Sequence, residues 1–233
     1  STYKGSSFGM FKSFDGGITW AEINGGLEYA DKNINCIAIH PYDENVLYIG
    51  TYQDGIFKSI DGGISWFPAS NGLMSEDVRS LAINPCNPDI ICAGLGNGVG
   101  LYKSENGGES WSATSNGIVL ECPSYLQRIG QVNPGISLEK PARSVGTDYA
   151  STPWTLISSV VIVPSNPQII FVSDYQRGVY MSTNGGESWV AINDGLDFKA
   201  VTSLTLSTNE AVLYASTSGG GVYRLQLGGG GNV

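Results

Sequence analysis

Asp174-Tyr175-Gln176-Arg177 is the segment of this chain with the clearest chemical potential. A carboxylate, a phenol, an amide and a guanidinium stand side by side. A second set falls between residues 119 and 155: Tyr125, Arg128, Arg143, Asp148, Tyr149 and Trp154. Aromatic and arginine side chains are the types enriched at recognition hot spots, and aromatic plates beside carboxylates also suit sugars. Asp54 is a further carboxylate in a short polar turn. Nucleophilic and metal chemistry find less. His40 is the one histidine, and it stands before Pro41 with no G-x-S-x-G elbow in the chain. The four cysteines (36, 86, 92, 122) contain no C-x-x-C pair, so free structural thiols are expected, with no metal and no cofactor. A formal charge of -9, from 12 Lys+Arg against 21 Asp+Glu, argues against nucleic acid, which needs clustered basic groups. No apolar run approaches the ~18 residues of a membrane span, so no transmembrane segment is expected.

These residues are carried by a repeat. Residues 13–20 (SFDGGITW), 59–66 (SIDGGISW), 104–111 (SENGGESW) and 182–189 (STNGGESW) share one eight-residue box. An aromatic column precedes each box at Phe11, Phe57, Tyr102 and Tyr180, and returns as Tyr223 in a copy without a box. An earlier column reads Tyr3, Tyr48, Cys92, Phe171 and Tyr214. Apolar segments come first, at residues 37–39, 81–83, 160–162 and 204–206. A fourth strand is expected to start at each Trp and to end at Asn24-Gly25, Asn71-Gly72, Asn116-Gly117 or Asp194-Gly195. Glycine, at 32 residues, is about twice the average usage of roughly 7%. Four short strands per ~45 residues, joined by Gly/Asn/Asp turns, define a propeller blade. The chain thus reads as an all-β propeller of four-stranded antiparallel blades.

The expected domain runs from 1 to 227, with a Gly-rich tail at 228–233. Its blades are a partial one at 1–27, full ones at 34–73, 78–118 and 157–196, and a partial one at 201–227. Both partial blades supply second and third strands. The chain is then a piece of a longer propeller, a five-bladed ring closed between two three-stranded blades, or a ring completed by another chain. The insertion at 119–155 shares its face with Asp54 and with residues 174–177. Against its column (Ser6, Thr51, Leu95, Thr217) Asp174 breaks the repeat, and Arg177 stands where Asp54 and Gly220 do.

The box has a structural role: its Gly pair allows positive φ at a tight hairpin, its Asp or Asn takes the turn's N–H groups, and its Trp locks the hairpin to the blade. Asp15, Trp20, Asp61, Trp66, Asn106, Trp111, Asn184 and Trp189 are assigned to it. Asn106 and Asn184 could not act as carboxylate bases or charged metal ligands.

The four boxes resemble the Asp-box (BNR) repeat of sialidases, sortilin-type receptor ectodomains, xyloglucan-active glycosidases and photosystem assembly propellers. The resemblance covers all but about residues 119–155. Beside the resemblance, the inserted loop, the Gly-rich tail, the low charge and the missing catalytic set point to a non-catalytic recognition or assembly propeller of a secreted or cell-surface protein, extracellular in location. Such a propeller would bind protein or glycan through the inserted-loop face, at Tyr125, Arg128, Arg143, Tyr149, Trp154, Asp174, Tyr175 and Arg177, or assemble with itself. The alternative that the resemblance implies is a glycoside hydrolase. Xyloglucan-active relatives place an Asp on the loop between the second and third strands, which makes Asp54 and Asp174 the catalytic candidates. A sialidase would need three clustered arginines; this chain has five in all and no Phe/Tyr-Arg-Ile-Pro segment.

Overall fold

The computed structural model describes residues 2–28, 32–118 and 156–227. Among these there is no helix, and the 18 strands form five antiparallel sheets. The first holds β1 (Thr2–Ser6), β2 (Gly9–Ser13) and β3 (Ala21–Glu22). The second holds β4 (Ile34–Ile39), β5 (Leu47–Thr51), β6 (Ile56–Ser59) and β7 (Phe67–Pro68). The third holds β8 (Val78–Ile83), β9 (Ile91–Leu95), β10 (Gly100–Ser104) and β11 (Ser112–Ala113). The fourth holds β12 (Ile157–Ile162), β13 (Ile170–Asp174), β14 (Gly178–Ser182) and β15 (Val190–Ala191). The fifth holds β16 (Val201–Leu206), β17 (Val212–Thr217) and β18 (Gly221–Gln226). Each strand pairs with its sequence neighbour. The first strands pack on one another from sheet to sheet, β4 on β8, β8 on β12 and β12 on β16, so they form the inner end of a propeller.

Two expectations are corrected. The outermost strand begins after the box Trp, not at it, and is only two residues long. In the first copy the turn glycine with positive φ is Gly26, matching Gly72, Gly117 and Gly195, so the turn dipeptide is Gly25-Gly26. Asn24 instead falls in line with Ser70, Ser115 and Asn193. These side chains accept the N–H groups that open the third strands, from Met10, Ile56, Leu101 and Val179.

Buried side chains gather in four clusters, one between each pair of successive sheets. Three are keyed by a box tryptophan. Trp66, Trp111 and Trp189 are 2%, 5% and 4% exposed, and their indoles donate to the carbonyls of Ile23, Ala69 and Thr114 on the preceding sheet. Their main-chain N–H groups donate to Gly25, Asn71 and Asn116 there. Among the described residues no sheet packs on the far side of Trp20; it is 40% exposed and turns its indole onto its own hairpin at Gly17. Close approach between sheets also relies on glycine. A Cβ at Gly5, Gly50 or Gly94 would lie within 2.6 Å of Ile34, Val78 or Ile157 on the next first strand.

Candidate recognition face

The register places the end of each second strand opposite the start of the first: Ile34 with Thr51, Val78 with Leu95, Ile157 with Asp174, Val201 with Thr217. Loops between strands two and three, and connections between sheets, therefore share one face. The box hairpins share the other with the first-to-second turns, as Gly62, Gly107 and Gly185 donate to Asn45, Asp89 and Gln168. The insertion rejoins the fourth sheet at Leu156, whose carbonyl accepts the Tyr175 N–H at 3.0 Å. Tyr125, Arg128, Arg143, Asp148, Tyr149, Trp154 and Cys122 lie outside the described residues.

Asp174 does not line this face as an accessible carboxylate; it is fully buried. Its Oδ1 accepts the N–H groups of Gln176 (2.8 Å) and Arg177 (3.0 Å), and its Oδ2 faces Arg177 Nη1 at 3.4 Å. The second sheet explains why: Thr51 Oγ1 there accepts the Asp54 N–H, and in the fifth sheet Thr217 Oγ1 accepts that of Gly220. Asp174 does the hydroxyl's turn-closing work with a charged acceptor and a second oxygen for Arg177. Burial pushes its pKa above the usual carboxylate range, opposed by the two turn N–H groups and the Arg177 charge. Tyr175 and Arg177 are half-buried beside it, and Asp54 is exposed at its turn.

A second acid–arginine pair went unnoticed in the sequence. Asp77 is buried, and Arg79 donates Nη2 to its Oδ2 at 2.8 Å while Nε lies 2.6 Å from Oδ1. The Arg79 guanidinium sits 5.1 Å from the Tyr52 ring centre, a cation–π distance. Burial raises the Asp77 pKa, against the pull of Arg79. Gly96 makes room, since a Cβ there would lie 2.1 Å from Asp77 Oδ2. Arg79 reaches this place because every first strand after the initial sheet shifts register at its second residue: Asn35, Arg79, Ser158 and Thr202. Asn35 and Ser158 use that position to bond Val78 and Val201 of the next sheet. Arg79 bonds Asp77 instead. The column was readable as a repeat break, but only if the bulge were known.

The box residues are occupied with their own hairpins. Ser13, Ser59, Ser104 and Ser182 are buried; each hydroxyl donates to the box Asp15, Asp61, Asn106 or Asn184 and accepts the N–H of the second glycine. Asp15 and Asp61 also accept the Thr19 and Ser65 hydroxyls. In the Asn boxes the bond runs the other way, from Asn106 and Asn184 Nδ2 to the hydroxyls of Ser110 and Ser188. The Ser65 hydroxyl and N–H, with the Ser59 hydroxyl, hold Asp61 at about 2. Asp15 is held below the usual range, chiefly by Thr19. His40 Nδ1 closes a turn by accepting from Tyr42 and Asp43. Cys36, Cys86 and Cys92 are free thiols, and burial pushes Cys92 up to about 12, far from a nucleophile. Among the described residues no three His, Cys, Asp or Glu side chains gather to hold a metal, and no helix is long and apolar enough to cross a membrane. A groove of about 190 Å³ lies beside the third sheet's box hairpin, between Phe67, Pro68 and Glu109; small-molecule pockets usually run to ~300–1,000 Å³.

No protein-family model matches the sequence, and no curated protein does either. Solved structures do match. The GH74 enzyme of Niastella koreensis superposes with a TM-score of 0.65 at 22% identity, over 95% of this chain and 33% of that one. The GH74 xyloglucanase from Xanthomonas campestris gives 0.63 at 15% identity, over 94% and 33%. A structure of YCF48 bound to D1 peptide gives 0.56 at 15% identity, over 95% and 58%. These likenesses show the propeller fold. The chain spans a third of those two hydrolase chains and little more than half of the YCF48 chain.

Proposed function

We propose that this propeller is a non-catalytic recognition or assembly unit. It engages a protein or glycan partner through the face that carries Tyr52, Asp54, Asp77, Arg79 and residues 174–177. The observation that carries this reading is the burial of Asp174. Both glycosidase mechanisms need two carboxylates, ~5–5.5 Å or ~6.5–9.5 Å apart across the bond to be cut. Asp174 spends its oxygens on its own turn and on Arg177, so the candidate pair keeps one accessible member, Asp54. What stands on the face is two arginines held by buried carboxylates, with Tyr52 and Tyr175 beside them. Arginine and aromatic groups in fixed positions suit recognition. YCF48 was solved with a bound peptide, which agrees with a protein ligand, and a secreted or cell-surface setting belongs to the same proposal. The Asp-box resemblance and the insertion residues Tyr125, Arg128, Arg143, Tyr149 and Trp154 belong to it as well.

A second reading, a glycoside hydrolase unit, rests on the likeness to GH74 enzymes across nearly the whole chain and on the exposed Asp54. One screen separates the two. The purified chain is tested on a glycan array, a peptide library and xyloglucan, with binding and released reducing ends both measured. Binding without release, weakened at least tenfold by Tyr52→Ala or Arg79→Ala, supports recognition. Release of reducing ends that Asp54→Asn abolishes would replace it with hydrolysis.

A further inference from the structure

The outward positions of the box hairpins differ between sheets in a way the hairpin itself does not require. The second and sixth box residues are Phe14 and Ile18 in the first sheet and Ile60 and Ile64 in the second. They are Glu105 and Glu109 in the third, and Thr183 and Glu187 in the fourth. All four hairpins are closed by the same serine and glycine bonds, so the apolar pairs are not needed to build the turn. Phe14, Ile18, Ile60 and Ile64, with Phe67 on the adjoining β7, are between 57% and 83% exposed. The second sheet has a described sheet on either side of it and still keeps both box isoleucines in water. Their exposure therefore does not depend on what flanks the first sheet. The five side chains form one stripe. Lys12 Nζ lies 5.1 Å from the Phe14 ring centre and donates to the Gly62 carbonyl at 3.1 Å, which ties the first hairpin to the second. Ile60 and Phe67 line the groove that runs on to Gly107 and Glu109. The stripe is also balanced in charge. Asp15 and Asp61 hold the Thr19 and Ser65 hydroxyls, while Lys12 and Lys58 give their ammonium groups to the Gly62 and Gly107 carbonyls.

We propose that this stripe is the contact surface for a second copy of the chain, the two box faces meeting about a two-fold axis. Area argues for it. Exposed to this degree, three isoleucines and two phenylalanines offer on the order of 500 Å² of apolar side chain. An interface of ~800 Å² per partner that is ~65% apolar, as between identical subunits, needs about the same from each. Charge argues for it too. A net charge of -9 sets copies of this chain against one another. The stripe is where that repulsion is weakest, because its two lysines offset its two aspartates, and the glutamates stand on the third and fourth hairpins. The same net charge opposes an anionic lipid surface. A two-fold contact asks for no partner chemistry beyond the stripe itself. It leaves the opposite face, with Tyr52 and Arg79, clear in both copies.

The test is sedimentation velocity of the 233-residue chain between about 1 and about 200 µM. The parent is expected to sediment as a dimer in the upper part of that range. Two double variants use residues that the chain already carries at the same hairpin positions. Ile18→Glu with Ile64→Glu copies Glu109 and Glu187, and Ile60→Glu with Phe67→Ser copies Glu105 and Ser112. Each should melt like the parent's monomer and weaken the dimer at least about tenfold, as loss of central apolar contacts does. A parent that stays monomeric throughout would overturn the proposal, and flotation of that monomer with phosphatidylcholine vesicles would assign the stripe to a lipid surface instead. A dimer that both variants keep at full strength would overturn it as well, since its copies would be joined elsewhere. Glycan or peptide binding by the opposite face is measured separately and is untouched by either failure.

Discussion

Trp66→Ala and Trp20→Ala remove the same ring from the same box, yet the structure gives them different costs. A fully interior tryptophan buries roughly 150–250 Å², and Trp→Ala in a packed core costs about 3–5 kcal/mol. Trp66, 2% exposed, also leaves the Ile23 carbonyl without its indole donor, a further loss of about 1 kcal/mol. The expected total is about 4–6 kcal/mol. Trp20 keeps 40% of its surface in water and bonds only its own hairpin. At about 25 cal/mol per Å², discounted for burial already present in the unfolded chain, its ring is worth roughly 2 kcal/mol, with no cavity left behind. Urea unfolding followed by far-ultraviolet circular dichroism reads the difference. With a urea slope of about 1–3 kcal/mol per molar, Trp66→Ala should lower the midpoint by roughly 1.5 M or more, and Trp20→Ala by about a third to a half of that. Equal midpoint shifts would refute the claim that the box tryptophan stabilises by bridging sheets. They would show instead that it acts within its hairpin.

Gly50→Ala places a methyl 2.6 Å from Cys36 Sγ and from Val78 Cγ1; a loss of about 1–3 kcal/mol is expected from overpacking, read by thermal melting. Asp174→Ala strips two turn N–H groups and Arg177 of their acceptor and should cost about 2–4 kcal/mol. Asp174→Asn keeps an acceptor for both N–H groups and should cost under about half of that, with the two ranked by chemical denaturation. Asp15 and Asp61 are both depressed below their unfolded pKa near 3.9. The stability they contribute is therefore full above that value and lost as pH falls through the folded values, near 2 for Asp61. Asp61→Asn, made to imitate the Asn106 and Asn184 boxes, should flatten the acid limb of a stability-against-pH curve between about pH 4 and 2. An unchanged limb would argue against those hydroxyl and N–H bonds.

How far the sequence reaches is visible in particular residues. Four boxes in phase, with their Gly pairs and aromatic columns, determine an all-β propeller, because positive-φ hairpins at fixed intervals leave a chain few other ways to bury alternate faces. The role of the box Asp and Asn was legible too, since the hydrogen-bonding groups lie within four residues of each other. Asp174 was legible only as an oddity. That it closes its own turn beneath the surface depends on β13 meeting β12 at Ile157, a contact across the sheet that no local pattern encodes. Arg79 escaped notice because a register shift turns its side chain toward Asp77 and Tyr52, from sequence positions that show no shared period. The four clusters that fill the gaps between successive sheets were likewise hidden, since each draws its walls from two sheets that lie far apart in the sequence.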